Sequence, residues 1–172
     1  MDAQQLKALQ APLKSRYREH PDAALVKLTA EGNLDGEGIT CSIETSRALV
    51  EAGLHPATGG DGTFACSGDM LLEALVACAG VTVRAVATAI GVNLRGGTVR
   101  AEGLLDFRGT LAIDRDAPVG FSAIELRFNL DTDADSEAIE NLIRLTERYC
   151  VVYQTLKATP PIDVTHSTTA TR

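Results

Sequence analysis

The chain has 172 residues, of which 45% are hydrophobic and 23% charged, enough for one soluble domain with a real core. A formal net charge of -7 argues against nucleic acid or an anionic membrane surface as a partner. Aromatic residues make up only 4% and Trp is absent, so the core must be aliphatic. The N-terminus MDAQQLKALQ lacks the basic-then-apolar pattern of a secretory signal, which predicts a cytoplasmic protein. Cys41, Cys66, Cys78 and Cys150 are then expected as free thiols. No C-x-x-C pair occurs and His20, His55 and His166 are scattered, so no metal site is expected.

Leu6, Leu9 and Leu13 predict a helix over residues 3–19, shortened or kinked at Pro12. After the break at His20-Pro21-Asp22, Ala24–Glu31 alternates as a strand, and Gly38–Thr45 follows as a second. The turn residues Gly32 to Gly36 between them predict a hairpin. Ser46–Gly53 reads as a short helical turn. His55–Cys66, HPATGGDGTFAC, reads as a loop; with no G-K-[ST] after its glycines it is not a phosphate cradle.

Asp69–Ile90, DMLLEALVACAGVTVRAVATAI, is the longest apolar run, too long for a strand, and carries apolar residues on every face. Such a helix is buried on all sides or lies in a membrane. Asp69, Glu73 and Arg84 argue against a bilayer. The reading is therefore a central core helix with Ser67 as N-cap and Cys78 near its middle. Beyond Gly91 the period changes to two. Val92–Asp106 and Phe107–Ala112 read as strands broken by Gly96-Gly97 and Gly109, and Gly120–Leu130 alternates cleanly. Thr132 to Ser136 is a helix start, followed by a helix ending near Tyr149-Cys150. Gln154–Lys157 adds a helical turn, Pro160-Pro161 stops it, and Ile162–Thr165 is expected as a last strand. Strands and helices fall into blocks, so the fold class is α+β, with mostly antiparallel strands wrapped around a long buried central helix. Residues 1–172 form one domain, with 1–20 a helical arm and 167–172 a disordered tail.

Two segments carry a resemblance. CSGDMLLEALVACAGVTVRAVA (Cys66–Ala87) resembles the cysteine helix of the OsmC/Ohr family, the osmotically inducible and organic hydroperoxide resistance proteins. RYCVVYQTL (Arg148–Leu156) is similar to that family's second-cysteine segment. The resemblance implies an intertwined homodimer with the two central helices packed together. It implies reduction of organic hydroperoxides without metal or organic cofactor. Cys78 would be the peroxidatic thiol, Cys150 the resolving one, and an external dithiol or lipoyl-type reductant would reset the pair.

A free thiol has a pKa near ~8.5 and needs a cation, a donor or a helix N-terminus to ionise at neutral pH. The family supplies an Arg held by a Glu at the start of the cysteine helix. Here that start is Gly68-Asp69, so Asp69 or Glu73 stands in for the Glu, although Glu73 lies roughly 140° round the helix from Cys78. The loop before the helix has no Arg; Arg47 is the nearest upstream and His55 the other candidate cation. The Pro that follows the second Cys in many members is Val151. Cys66, at the helix N-terminus, competes with Cys78 as a reactive thiol on physical grounds, and the resemblance favours Cys78. Two other readings compete with the peroxidase: a stress or binding protein of the same fold with little or no activity, and a thiol redox sensor, for which the sequence offers no DNA-binding feature.

Overall fold

A computed structural model describes residues 3–33, 42–43, 52–63 and 65–166. Helix α1 (Ala3–Glu19) runs through Pro12 without interruption. Pro12 withholds one main-chain donor, but the helix continues on either side of it. A 3-10 turn over Pro21–Ala24 leads into strand β1 (Leu25–Asn33), which pairs antiparallel with β2 (Ser42–Ile43) at Gly32↔Ile43 and Asn33↔Ser42. The connection between them, with Cys41, lies outside the described residues. So do Arg47 and most of the segment expected as a helical turn. Its last two residues, Ala52–Gly53, are instead strand β3, paired parallel with β4 (Ala65–Cys66).

Helix α2 (Ser67–Ile90) is the central element, and it ends at Gly91 in the left-handed conformation, φ 75°. Its N-cap is Cys66, not Ser67, which is already helical; Cys66 has the extended backbone of a cap, φ -80° and ψ 131°. Leu72, Leu75, Val76, Ala79, Gly80, Val83, Val86 and Ala87 are buried. The expectation of burial on every side is not met in the single chain. Met70, Leu71 and Val81 are 37%, 38% and 41% exposed; Met70 and Val81 point the same way, about 20° apart round the helix, and Leu71 flanks them. The sheet and the C-terminal helices cover only the opposite face.

Strand β5 (Leu94–Asp106) is one continuous strand of 13 residues. Gly96-Gly97 does not break it. Gly97 has φ 136°, and a Cβ there would sit 2.2 Å from the Asn129 carbonyl oxygen, so the glycine lets β6 approach where the register shifts between Leu94 and Gly96. The segment expected as a strand from Phe107 instead begins with a single helical turn, α3 (Phe107–Thr110). The Asp106 side chain caps it by accepting from the Arg108 N–H at 3.0 Å. Strand β6 (Phe121–Thr132) completes an antiparallel sheet in the order β2-β1-β5-β6.

On one face of this sheet Val99 and Ala101 of β5 are fully buried against α2, with Ile124, Leu126, Phe128 and Leu130 of β6 packed beside them. The other face carries charge. Arg100 lies opposite Arg127 and Glu102 opposite Glu125, an unfavourable register that bridges of 3.2 Å (Arg100–Glu102) and 2.7 Å (Arg127–Glu125) neutralise. Helix α4 (Ser136–Tyr149), capped by Asp135, buries Leu142 and Thr146, and α5 (Val151–Ala158) follows after Cys150 alone. The last strand expected at Ile162–Thr165 is not formed. That segment pairs with nothing in the sheet, and Ile162 and Val164 are 85% and 88% exposed.

A second, smaller cluster of Tyr17, Ala24, Phe107 and Leu111 ties α1 to the sheet, and the Tyr17 hydroxyl donates to the Ala57 carbonyl at 2.9 Å. The main core is the more consequential of the two. Leu72→Ala, at a fully buried position of α2, should cost about 2–5 kcal/mol, read as a lower midpoint in urea unfolding with an unchanged slope.

Candidate active site

Cys78 sits at the border between the buried and exposed faces of α2 and is half-buried. Cys150 is 1% exposed and belongs to the same core cluster, so the fold brings together two sulfurs that are far apart in sequence. The junction of α4 and α5 explains how. Cys150 closes α4, its N–H donating to the Thr146 carbonyl at 2.9 Å, then takes an extended backbone (φ -72°, ψ 109°) that starts a new helix at once. The first amides of any helix lack partners within it. In α5 they point at sulfur. The Val151 and Val152 N–H groups lie close enough to Cys78 Sγ to favour its anion, and the Tyr153 N–H donates to Cys150 Sγ at 3.5 Å. The Thr82 hydroxyl, one turn along α2 from Cys78, and the Cys150 thiol act on the same Cys78 sulfur in the same sense.

These contacts separate the two thiols. Burial alone would raise Cys78. The Val152 amide, the Cys150 thiol, the Val151 amide and the Thr82 hydroxyl outweigh it and hold Cys78 below the ordinary thiol range. Cys150 moves the other way. Burial, together with the negative charge and hydrogen bond of Cys78, pushes it up to about 11 against the opposing pull of the Tyr153 and Val152 amides. Cys78 is therefore the thiol of the pair that ionises first, with Cys150 still protonated beside it.

The other candidates fall elsewhere. Asp69 is nine residues before Cys78, about 13.5 Å along the axis. Burial raises its carboxyl while nearby His55 pulls it down. His55 accepts from the Ala57 N–H through Nδ1 at 3.0 Å and stacks on Phe107 with ring centroids 4.9 Å apart, so it too belongs to the α2 N-terminus and not to Cys78. Glu73 is not among the groups touching Cys78, and Arg47 lies outside the described residues. Cys66 is half-buried at the α2 cap, about 18 Å along the axis from Cys78, and takes no part in the pair. Among the described residues no group of three or more His, Cys, Asp or Glu could hold a metal ion.

Thr82 and Val152 were not expected as site residues, and Val151 stood out only as the residue in place of the family Pro. Thr82 carried a signal, its one-turn spacing from Cys78. The two valines did not, because the expected helical turn began at Gln154, three residues after α5 starts.

The model of the OsmC family, described as OsmC-like protein, matches residues 60–165. Among solved structures the chain is similar to an OsmC-like hydroperoxide resistance protein from Jannaschia sp. CCS1. The two are 17% identical with a TM-score of 0.57, over 86% of this chain and 95% of that one, a likeness of fold. No curated protein matches the chain.

Val151→Pro is a sharp test of the amide donors. Proline is well tolerated in the first position of a helix, and the extended Cys150 backbone suits a residue before proline, so the change removes one N–H and little else. The pH profile of Cys78 alkylation by iodoacetamide, followed by peptide mass, should shift to higher pH, with a several-fold slower reaction at pH 7.

Proposed function

Because the chain belongs to the OsmC-like protein family, we propose that it is a cysteine-based peroxidase that reduces organic hydroperoxides through Cys78 and Cys150. The observation that carries this reading is the cradle of donors on the Cys78 sulfur, with a second, protonated thiol inside it. The hydroperoxide resistance protein that shares the fold supports the substrate class.

The Cys78 thiolate attacks the terminal peroxide oxygen, the O–O bond breaks, and Cys78 becomes a sulfenic acid as the alcohol leaves. Cys150 then attacks the oxidised sulfur, the disulfide closes, and water is released. The order of the steps follows from the electrostatics. While Cys78 is anionic, its charge and hydrogen bond help keep Cys150 protonated and unreactive. Oxidation of Cys78 removes that charge, and Cys150 becomes the better nucleophile when its target has formed. A dithiol or lipoyl-type reductant resets the pair by thiol–disulfide exchange. Such a supply suits the reducing cytoplasm.

The chain acts as a homodimer in this reading. Met70, Leu71 and Val81 leave one side of α2 apolar and exposed, a side that a second copy of the same helix would cover, and Cys78 lies on that side. Among the described residues the groups acting on Cys78 carry no charged side chain, which suits an alkyl or aryl hydroperoxide.

With dithiothreitol or a lipoyl donor, the protein should turn over cumene hydroperoxide. Cys78→Ser should abolish this. Cys150→Ser should allow one oxidation and stop, leaving a sulfenic acid on Cys78 that dimedone traps. Full activity in Cys78→Ser would refute the assignment. Light scattering should give twice the chain mass of 18.2 kDa.

A further inference from the structure

Resting on that reading, we propose that Cys150 does two jobs in turn: its thiol proton goes to the alkoxide expelled by Cys78, and the thiolate left behind closes the disulfide. Reduction of an alkyl hydroperoxide by a thiolate expels a strongly basic alkoxide, and a proton supplied as the O–O bond breaks lowers that barrier. Among the described residues the groups against Cys78 Sγ are the Val151 and Val152 amides, the Thr82 hydroxyl and the Cys150 thiol. Amides do not release their protons, and an alcohol is a far weaker acid than a thiol. The Cys150 thiol is the one group there that is both protonated at neutral pH and more acidic than an alcohol. It is 1% exposed, so it holds that proton away from bulk water. Asp69, the carboxyl near the α2 N-terminus, is about 13.5 Å away along the helix axis.

The step balances. An electron pair on Cys78 sulfur forms the S–O bond to the terminal oxygen, and the O–O pair leaves on the alkoxide. The Cys150 proton converts that alkoxide to alcohol. Cys78 is oxidised to sulfenic acid and the peroxide is reduced. The Cys150 thiolate then forms the S–S bond and displaces hydroxide from Cys78, which solvent protonates to water. The donor of the first half-reaction thereby becomes the nucleophile of the second. During this exchange the Tyr153 N–H, already on Cys150 Sγ at 3.5 Å, stabilises the new thiolate.

Leaving-group chemistry separates this role from a structural one. tert-Butyl hydroperoxide expels a strong base that needs the proton. Peracetic acid expels acetate, which does not. Single-turnover oxidation of Cys78 would be followed by peptide mass in the wild type, Cys150→Ala and Cys150→Ser, above the Cys78 pKa of each variant so that all react as thiolates. Cys150→Ala should slow tert-butyl hydroperoxide by about a hundredfold or more and leave peracetic acid within a few-fold of the wild type. Cys150→Ser, which can still cap α5 and donate a hydrogen bond, should recover part of the loss. An equal loss with both oxidants would mean a changed Cys78 and overturn the proposal, as would no loss with either. A wild type inert to both oxidants would instead overturn the peroxidase reading on which the proposal stands.

Discussion

The site depends on one arrangement: the first turn of a short helix aimed at a sulfur on another. Helix α5 begins one residue after α4 ends, and its opening amides are divided between Cys78 and Cys150. Among the described residues these groups do for Cys78 what a charged side chain can also do. The two solutions differ physically. A guanidinium acts over a Debye length and weakens with salt, whereas amide dipoles act at contact and are scarcely screened. A peptide group also carries no competing protonation state. The Val151 N–H is one that a proline at this position would lack, so the departure of this chain from the common family pattern is itself part of the cradle.

The fold is arranged to keep this junction in place. The α4 face that buries Leu142 and Thr146 seats the helix on α2. The Thr146 hydroxyl donates to the Leu142 carbonyl at 2.8 Å, and its own carbonyl accepts from Cys150, so the polar groups around the junction are satisfied within the chain. With no slack residue between the helices, Cys150 cannot move without moving both. That rigidity is what a pair of thiols needs if they are to meet in two different chemical states.

Much of this was legible in the sequence. The apolar run of α2, the alternation of β6 and the Asp135 cap of α4 each carry a strong local signal, and all three elements appear close to their expected places. The failures occur where tertiary contacts outweigh local pattern. Gly96-Gly97 has the composition of a break, yet it sits inside β5 because β6 must come close there. Phe107 fits a strand by propensity, but the Asp106 cap turns it into the second cluster. Ile162 and Val164 alternate like a strand, and without a neighbouring strand no ladder forms. The chain announces both cysteines. Half of the groups acting on Cys78 are backbone, and a backbone donor has no letter in the sequence. Asp69 and Glu73 are acidic residues close to Cys78 in number, but distance along a helix axis grows with every residue.

The two apolar clusters have separate tasks, and a single cross-strand pair joins them. Val26 and Leu105 face each other between β1 and β5, and each packs against both clusters. The thiols lie wholly on one side of this seam and the N-terminal arm wholly on the other. The arm can therefore fray, or be clipped by a protease, while the cysteine pair stays assembled, with amide exchange in α1 running ahead of exchange in α2.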